Sequence, residues 1–191
     1  MDPRAATLAL LGRTLLWLVP CLALWYVAAG PIAWLPAKIA SPFIGVVADV
    51  KAMGLRERGV VYSVSIDPPY ELMRRGTGAA TADVEVASAT YTYGIALFLA
   101  LSLATRGWTR PKLVLAGLVI VWLSNAWGIG FDAVRQLAIS PELASHLALG
   151  AAARTAIAFG YQLGSLLLPT LLPIALWLAF NPQVWRKTPG A

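Results

Sequence analysis

From Leu15 to Leu35 the chain carries no charged side chain. A helix crosses the ~30 Å hydrocarbon core of a bilayer with ~20 consecutive apolar residues. This run alone therefore predicts a helix solvated by lipid. Three more apolar stretches follow, at Tyr91–Thr105, Leu113–Phe131 and Ile157–Phe180. The third and fourth are long enough to span. The second is short, and spans only if it tilts, extends through Trp108 or is buried against its neighbours. The spacing predicts spans at about 15–35, 91–108, 113–131 and 157–180.

Composition agrees: only 13% of the 191 residues are charged, against roughly 25% in soluble domains. The length suits one membrane domain over 1–191 and leaves no room for a separate enzyme domain. Arg4 and Arg13 before the first apolar run resemble the start of a signal peptide. That run is longer than a typical signal core and no small-residue cleavage site follows, so it reads as a retained span. The net charge of +6 comes with no basic and aromatic surface suited to nucleic acid.

Charge sets the orientation. With four spans, residues 1–14, 106–112 and 181–191 share one side and hold seven basic residues against one acid. The other side holds eight of each. Short loops rich in Lys and Arg stay in the cytoplasm, so both termini are expected there. Trp17, Trp25, Tyr26 and Trp34 around the first span, Trp108 after the second, and Trp177 and Trp185 near the end of the fourth read as interfacial anchors.

The extracytoplasmic segment 36–90 carries two signals. Phe43, Val46, Val47, Val50 and Met53 follow a helical stripe behind a Ser41–Pro42 start. They predict an amphipathic helix lying in the interface. Beyond it the period becomes two: Val60, Tyr62, Val64 and Ile66 form one strand, Tyr70–Arg75 a second, and Val84 with Val86 a third. A small antiparallel sheet is expected, packed on the interfacial helix and the outer ends of the spans. The segment 132–156 reads as helical, with Ser140-Pro141-Glu142 as a helix start. The fold class is thus a mainly α membrane protein: four transmembrane helices, a small extracytoplasmic β segment and an interfacial helix.

Chemistry-bearing residues are sparse. Cys21 is the single cysteine and His146 the single histidine, which leaves no multi-ligand metal set and no cofactor signature. Buried Cys in apolar surroundings is inert, and Cys21 lies inside the first span. Asn125, Gln162 and Ser165 lie inside spans, where polar groups find partners on other helices or line a path. Gly160 and Gly164 form a small-xxx-small step suited to close packing with a helix of this chain or of a partner. Arg56, Arg58, Arg74 and Arg75 mark either a solvated external surface or a docking site for a partner or for lipid headgroups.

The run Tyr91-Thr-Tyr-Gly-Ile-Ala-Leu-Phe-Leu-Ala-Leu-Ser-Leu-Ala-Thr105 and the triplet Leu24-Trp25-Tyr26 resemble the exosortase H-associated membrane proteins. The resemblance implies a bacterial inner-membrane protein working beside an exosortase. Exosortases are multi-span, transpeptidase-like enzymes that process the C-terminal sorting tails of exported proteins with a Cys, an Arg and a His. Cys21 stands in Pro-Cys-Leu and His146 has no matching context, so the resemblance is to the companion and carries over no catalytic residue. Three readings follow. The first is a non-enzymatic accessory protein whose partners are the lipid bilayer and a membrane protein, with an exosortase suspected. The second is an intramembrane or interfacial enzyme using Cys21 or His146. The third is a small transporter or channel lined by Asn125, Gln162 and Ser165.

Overall fold

The structure is a computed structural model that describes residues 3–56, 59–66, 80–105, 111–140 and 149–182. Helix α1 runs Pro3–Ile44. At 1.5 Å per residue it is about 63 Å long, so its length exceeds any bilayer core. Strands β1 (Asp49–Arg56), β2 (Gly59–Ile66) and β3 (Ala80–Val86) follow. A short helix α2 (Ala89–Thr92) leads through Tyr93 into α3 (Gly94–Ala104). Helix α4 spans Pro111–Ile139. Helix α5 (Ala151–Gln162) continues through a π-turn (Leu163–Leu167) into α6 (Leu168–Phe180).

Three of these helical stretches are long and apolar enough to cross a membrane: Thr7–Ile44, Pro111–Ile139 and Ala151–Phe180. The apolar helix Ala89–Ala104 is shorter. It is also the innermost element: no residue from Tyr91 to Thr105 is exposed, and α3 packs against α1, α4 and α6. A helix that is apolar all round is a buried one. The turn at Tyr93 brings Gly94 against α6, where a Cβ on Gly94 would lie 2.5 Å from the Pro169 carbonyl oxygen. Pro173 has no N–H to bond that carbonyl, so the backbone of Gly94 closes over a group its own helix leaves free.

Proline shapes α1 in the same way. Pro20, Pro31, Pro36 and Pro42 all lie inside it, and each deprives a carbonyl one turn earlier of its donor. For Pro36 that carbonyl is Ile32, and the Trp122 indole of α4 donates to it at 2.7 Å. Three other indoles also join separate elements: Trp25 Nε1 to Thr92 Oγ1 at 2.9 Å, Trp127 Nε1 to the Gly160 carbonyl at 3.0 Å, and Trp177 Nε1 to Thr105 Oγ1 at 2.8 Å. Trp25 and Trp177 were expected as interfacial anchors. The structure makes them bonds between helices, and Trp177 is buried.

The sheet is antiparallel, in the order β1-β2-β3. Alternation along β2 buries Val60, Tyr62 and Val64, and β3 adds Val84 and Val86. They meet the small stripe Ala33, Ala37, Ala40 and Ile44 on α1 and Ile129, Ala133, Val134 and Leu137 on α4. The alanines let the sheet approach the helix closely enough for the Tyr62 hydroxyl to donate to the Ala37 carbonyl at 2.7 Å. Burial pushes the Tyr62 phenol pKa well above its usual range, against a smaller downward pull from the Ser41 hydroxyl.

The expected interfacial amphipathic helix is absent. Ser41 and Pro42 lie inside α1 rather than starting a helix, and residues 49–53 belong to β1. The misleading stripe has a physical cause. Val50 and Met53 are three residues apart, a spacing that puts strand residues on opposite faces. The register shifts between Val50 and Ala52, so Val50 pairs with Val64 and Met53 with Tyr62. A bulge restores both to the core side and imitates helical periodicity. Strands at 60–66 and around Val84–Val86 form as expected. The strand expected at Tyr70–Arg75 lies outside the described residues, and β1 supplies the third strand.

Candidate functional site

The candidate residues separate by the direction in which they face. Asn125 on α4 is buried at 3% exposure, and its Nδ2 has no hydrogen-bond partner among the described residues. Gly160 and Gly164 turn toward α4. A Cβ on Gly164 would lie 2.7 Å from the Gly128 Cα, and one on Gly160 would strike the Phe131 ring at 2.2 Å. The small-xxx-small step is therefore used within this chain, with the Trp127 indole closing it on the Gly160 carbonyl. The π-turn begins directly after this contact. Pro169 cannot return an N–H to Ser165 and its ring crowds that carbonyl, so a wider turn is the expected relief.

Gln162 sits on the same helix and is exposed. It follows Gly160 by two residues, about 200° around the helix, and so faces away from α4. Asn125 and Gln162 do not share a lining. An open groove on the bundle holds about 620 Å³, between Ile39 and Phe43 of α1, Leu123, Trp127 and Phe131 of α4, and Leu168 of α6. Its wall is mostly apolar, with the Phe131 ring tilted against Phe43 and Trp127 at centre distances of 4.9 Å and 4.7 Å.

Cys21 is buried with Ala96 and Ala100 where α1 crosses α3, among Leu18, Leu22 and Trp25. His146 lies outside the described residues, as do Pro141 and Glu142 of the expected helix start. Arg58, Arg74 and Arg75 lie outside them too. Arg56 lies at the end of β1. Its guanidinium reaches across Gly59 of β2 to Glu85 of β3, at 3.0 Å, with both side chains more than half exposed. Next to it Ser63 donates to Asp83 at 2.7 Å. The exposed face of the sheet thus carries the solvated Arg56–Glu85 ion pair and the Ser63–Asp83 hydrogen bond. No group of three or more metal-ligating side chains occurs among the described residues.

One buried polar cluster went unrecognised in the sequence. Asp132, 6% exposed, pairs with Arg135 one turn on, with Nη2 to Oδ1 at 3.1 Å. The Arg135 guanidinium lies 4.2 Å from the centre of the Tyr161 ring, and Tyr91 hydrogen-bonds with the Asp132 side chain. Next to it Gln136 donates to the Glu85 carbonyl at 3.0 Å. Helices α2, α4 and α5 and strand β3 are joined here. The Asp-x-x-Arg spacing at 132–135 was legible as a helical ion pair. The two tyrosines come from distant positions and gave no local signal.

These features define a class: a small polytopic helical membrane protein with a sheet clamped to one end of its bundle. The match to known families narrows this. The model of the exosortase H-associated membrane protein family matches residues 4–184, nearly the whole chain, and the chain belongs to that family. No curated protein and no solved structure matches it.

Proposed function

We propose that the chain is a non-enzymatic accessory protein of an exosortase-type sorting and processing system in the bacterial inner membrane. Four helical stretches cross the bilayer, the buried α2–α3 among them. Both termini lie in the cytoplasm, and the sheet stands on the outer side. The observation that carries this reading is the family match over residues 4–184. It is supported by how the chemistry-bearing residues are placed. Cys21 is sealed between α1 and α3, where a thiol is inert. The described basic side chains of the sheet, Lys51 and Arg56, pair with its own carboxylates Asp49 and Glu85, and Asp83 accepts from Ser63. Asn125 and Gln162 face opposite ways, so they do not frame the polar path a transporter needs. What remains is a rigid outer end able to present a surface to a membrane partner or its substrate.

The test is co-isolation. The native chain, solubilised in mild detergent from membranes that also contain exosortase H, should bring the exosortase with it, and in-membrane crosslinking should join the two. A chain that elutes without the exosortase and forms no crosslink to it would contradict the reading.

A further inference from the structure

We propose that α1 and α4 hold one anionic phospholipid of the leaflet on the sheet side, with its phosphate on Lys38 and an acyl chain in the pocket between Pro31 and Trp122. The inference goes beyond the accessory reading and does not require an exosortase to be present.

The pocket holds the tail. Pro31 and Ile32 of α1, Ile95 of α3, and Leu118, Val119 and Trp122 of α4 line an open space of about 410 Å³. The Trp122 indole bridges two of these helices through its bond to the Ile32 carbonyl. That bond uses the one polar hydrogen among the lining side chains, so they offer only hydrocarbon and aromatic surface. All six residues lie inside the uncharged stretches of the chain. In a bilayer the pocket therefore opens onto lipid tails, which carry no hydrogen-bonding group. An unfilled apolar space forfeits dispersion contacts along its whole lining, and a polymethylene chain restores them.

The same face of α1 supplies the head of the site. Val27, Pro31, Trp34 and Lys38 follow one another at four-, three- and four-residue spacing, and all four are exposed. The Lys38 ammonium sits 5.1 Å from the centre of the Trp34 ring, within cation–π range. It makes no ion pair among the described residues, and α1 contains no acidic side chain.

Depth agrees with this division. Lys38 stands three residues beyond Leu35, where the uncharged run ends, and the Tyr62 hydroxyl of the sheet meets α1 at the adjoining Ala37 carbonyl. The ammonium is thus at the hydrocarbon edge, level with lipid phosphates. Pro31 is seven residues deeper, about 10 Å. The polar layer of one leaflet is only ~5–8 Å thick, so the pocket begins where acyl chains begin. One phospholipid spans both, its phosphate on the ammonium and its chain passing Trp34 into the pocket. A cation with no counter-charge of its own favours a lipid of net negative charge over a zwitterion.

The test uses the full chain in phosphatidylethanolamine vesicles with a trace of phosphatidylglycerol that carries a photoreactive diazirine in one acyl chain. Adducts are mapped to residues, and phosphatidylcholine with the same label is the zwitterionic control. Phosphatidylglycerol adducts are expected to concentrate on Ile95, Leu118, Val119 and Trp122, and to be suppressed by unlabelled phosphatidylglycerol. Phosphatidylcholine should label these residues about five-fold less, and Lys38→Gln should remove the same factor from phosphatidylglycerol. Val119→Trp fills the pocket and should abolish the adducts; if that variant does not fold, the competition on the native chain decides. Adducts spread evenly over the pocket and over Leu16 and Leu171, which are 71% and 55% exposed, would mean an unselective lipid layer and overturn the site. Equal labelling by the two lipids, unchanged in Lys38→Gln, would overturn the phosphate contact. A photo-crosslinking residue at position 119 that joins another protein in native membranes, and no lipid, would give the pocket to a protein and overturn the proposal as well.

Discussion

At the sheet end of the bundle, polar side chains bond across elements. Tyr62 donates to Ala37, Asp132 holds Arg135, and Gln136 ties α4 to the backbone of β3. On the far side of α5, Gln162 is exposed and makes no hydrogen bond among the described residues. The first region is joined by elements distant in sequence, and its bonds serve the fold. The second is a plain helical wall whose inner face is already tightly packed. At that end the polar side chains that fix the structure are buried between elements, whereas the outward face of α5 contributes none.

Substitutions can break or sharpen that contrast. The largest effect is expected where the wall joins the bundle. Gly164→Leu puts a side chain against the Gly128 backbone, which cannot yield as a side-chain tip would. A loss of about 3 kcal/mol is expected, at the upper end of overpacking costs, seen as a lowered melting temperature in detergent. Next comes Asp132→Ala, which leaves the Arg135 guanidinium without its counter-charge. Fully buried pairs cost ~3–5 kcal/mol when broken and exposed ones under ~1. Arg135 is about one-third exposed, so about 1–3 kcal/mol is expected, and Asp132→Asn should recover part of it.

Tyr62→Phe removes one buried hydrogen bond and should cost about 1 kcal/mol. It also carries a pH signature. The folded phenol titrates above its unfolded value near ~10, so its contribution is complete below pH ~10 and is lost as pH rises further. The native chain should thus lose stability in alkali with a steeper slope than Tyr62→Phe. The smallest effect belongs to Arg56→Ala on the solvated face of the sheet, within about 0.5 kcal/mol. A large loss there would mean the outer face is a structural element and not a surface.

Much of this architecture was legible in residue pattern. The uncharged runs located the long helices, because lipid tolerates no charge there. Alternation from Val60 to Ile66 located β2, because one face of that strand is buried. Segment 43–53 misled because a bulge at Lys51 gives strand residues the spacing of a helix. The second apolar stretch is short, and the structure surrounds it with protein, a fact that only packing reveals. At the site level, the glycine step and the intramembrane amides were visible as types. Which of them faced inward was not, because that depends on Gly160 meeting Phe131 and Gly164 meeting Gly128. The Tyr91–Asp132–Arg135–Tyr161 cluster joins residues that no local pattern connects.

The central claim is that the short buried helix α2–α3 returns the chain across the bilayer, leaving the sheet outside and both termini within. Single cysteines placed at Ser63 and at Thr7 in a Cys21→Ala background, probed with a membrane-impermeant thiol reagent on intact cells, test it directly. The account predicts labelling at position 63 before lysis and at position 7 only after it. Labelling at position 7 in intact cells, with position 63 protected until lysis, would contradict it.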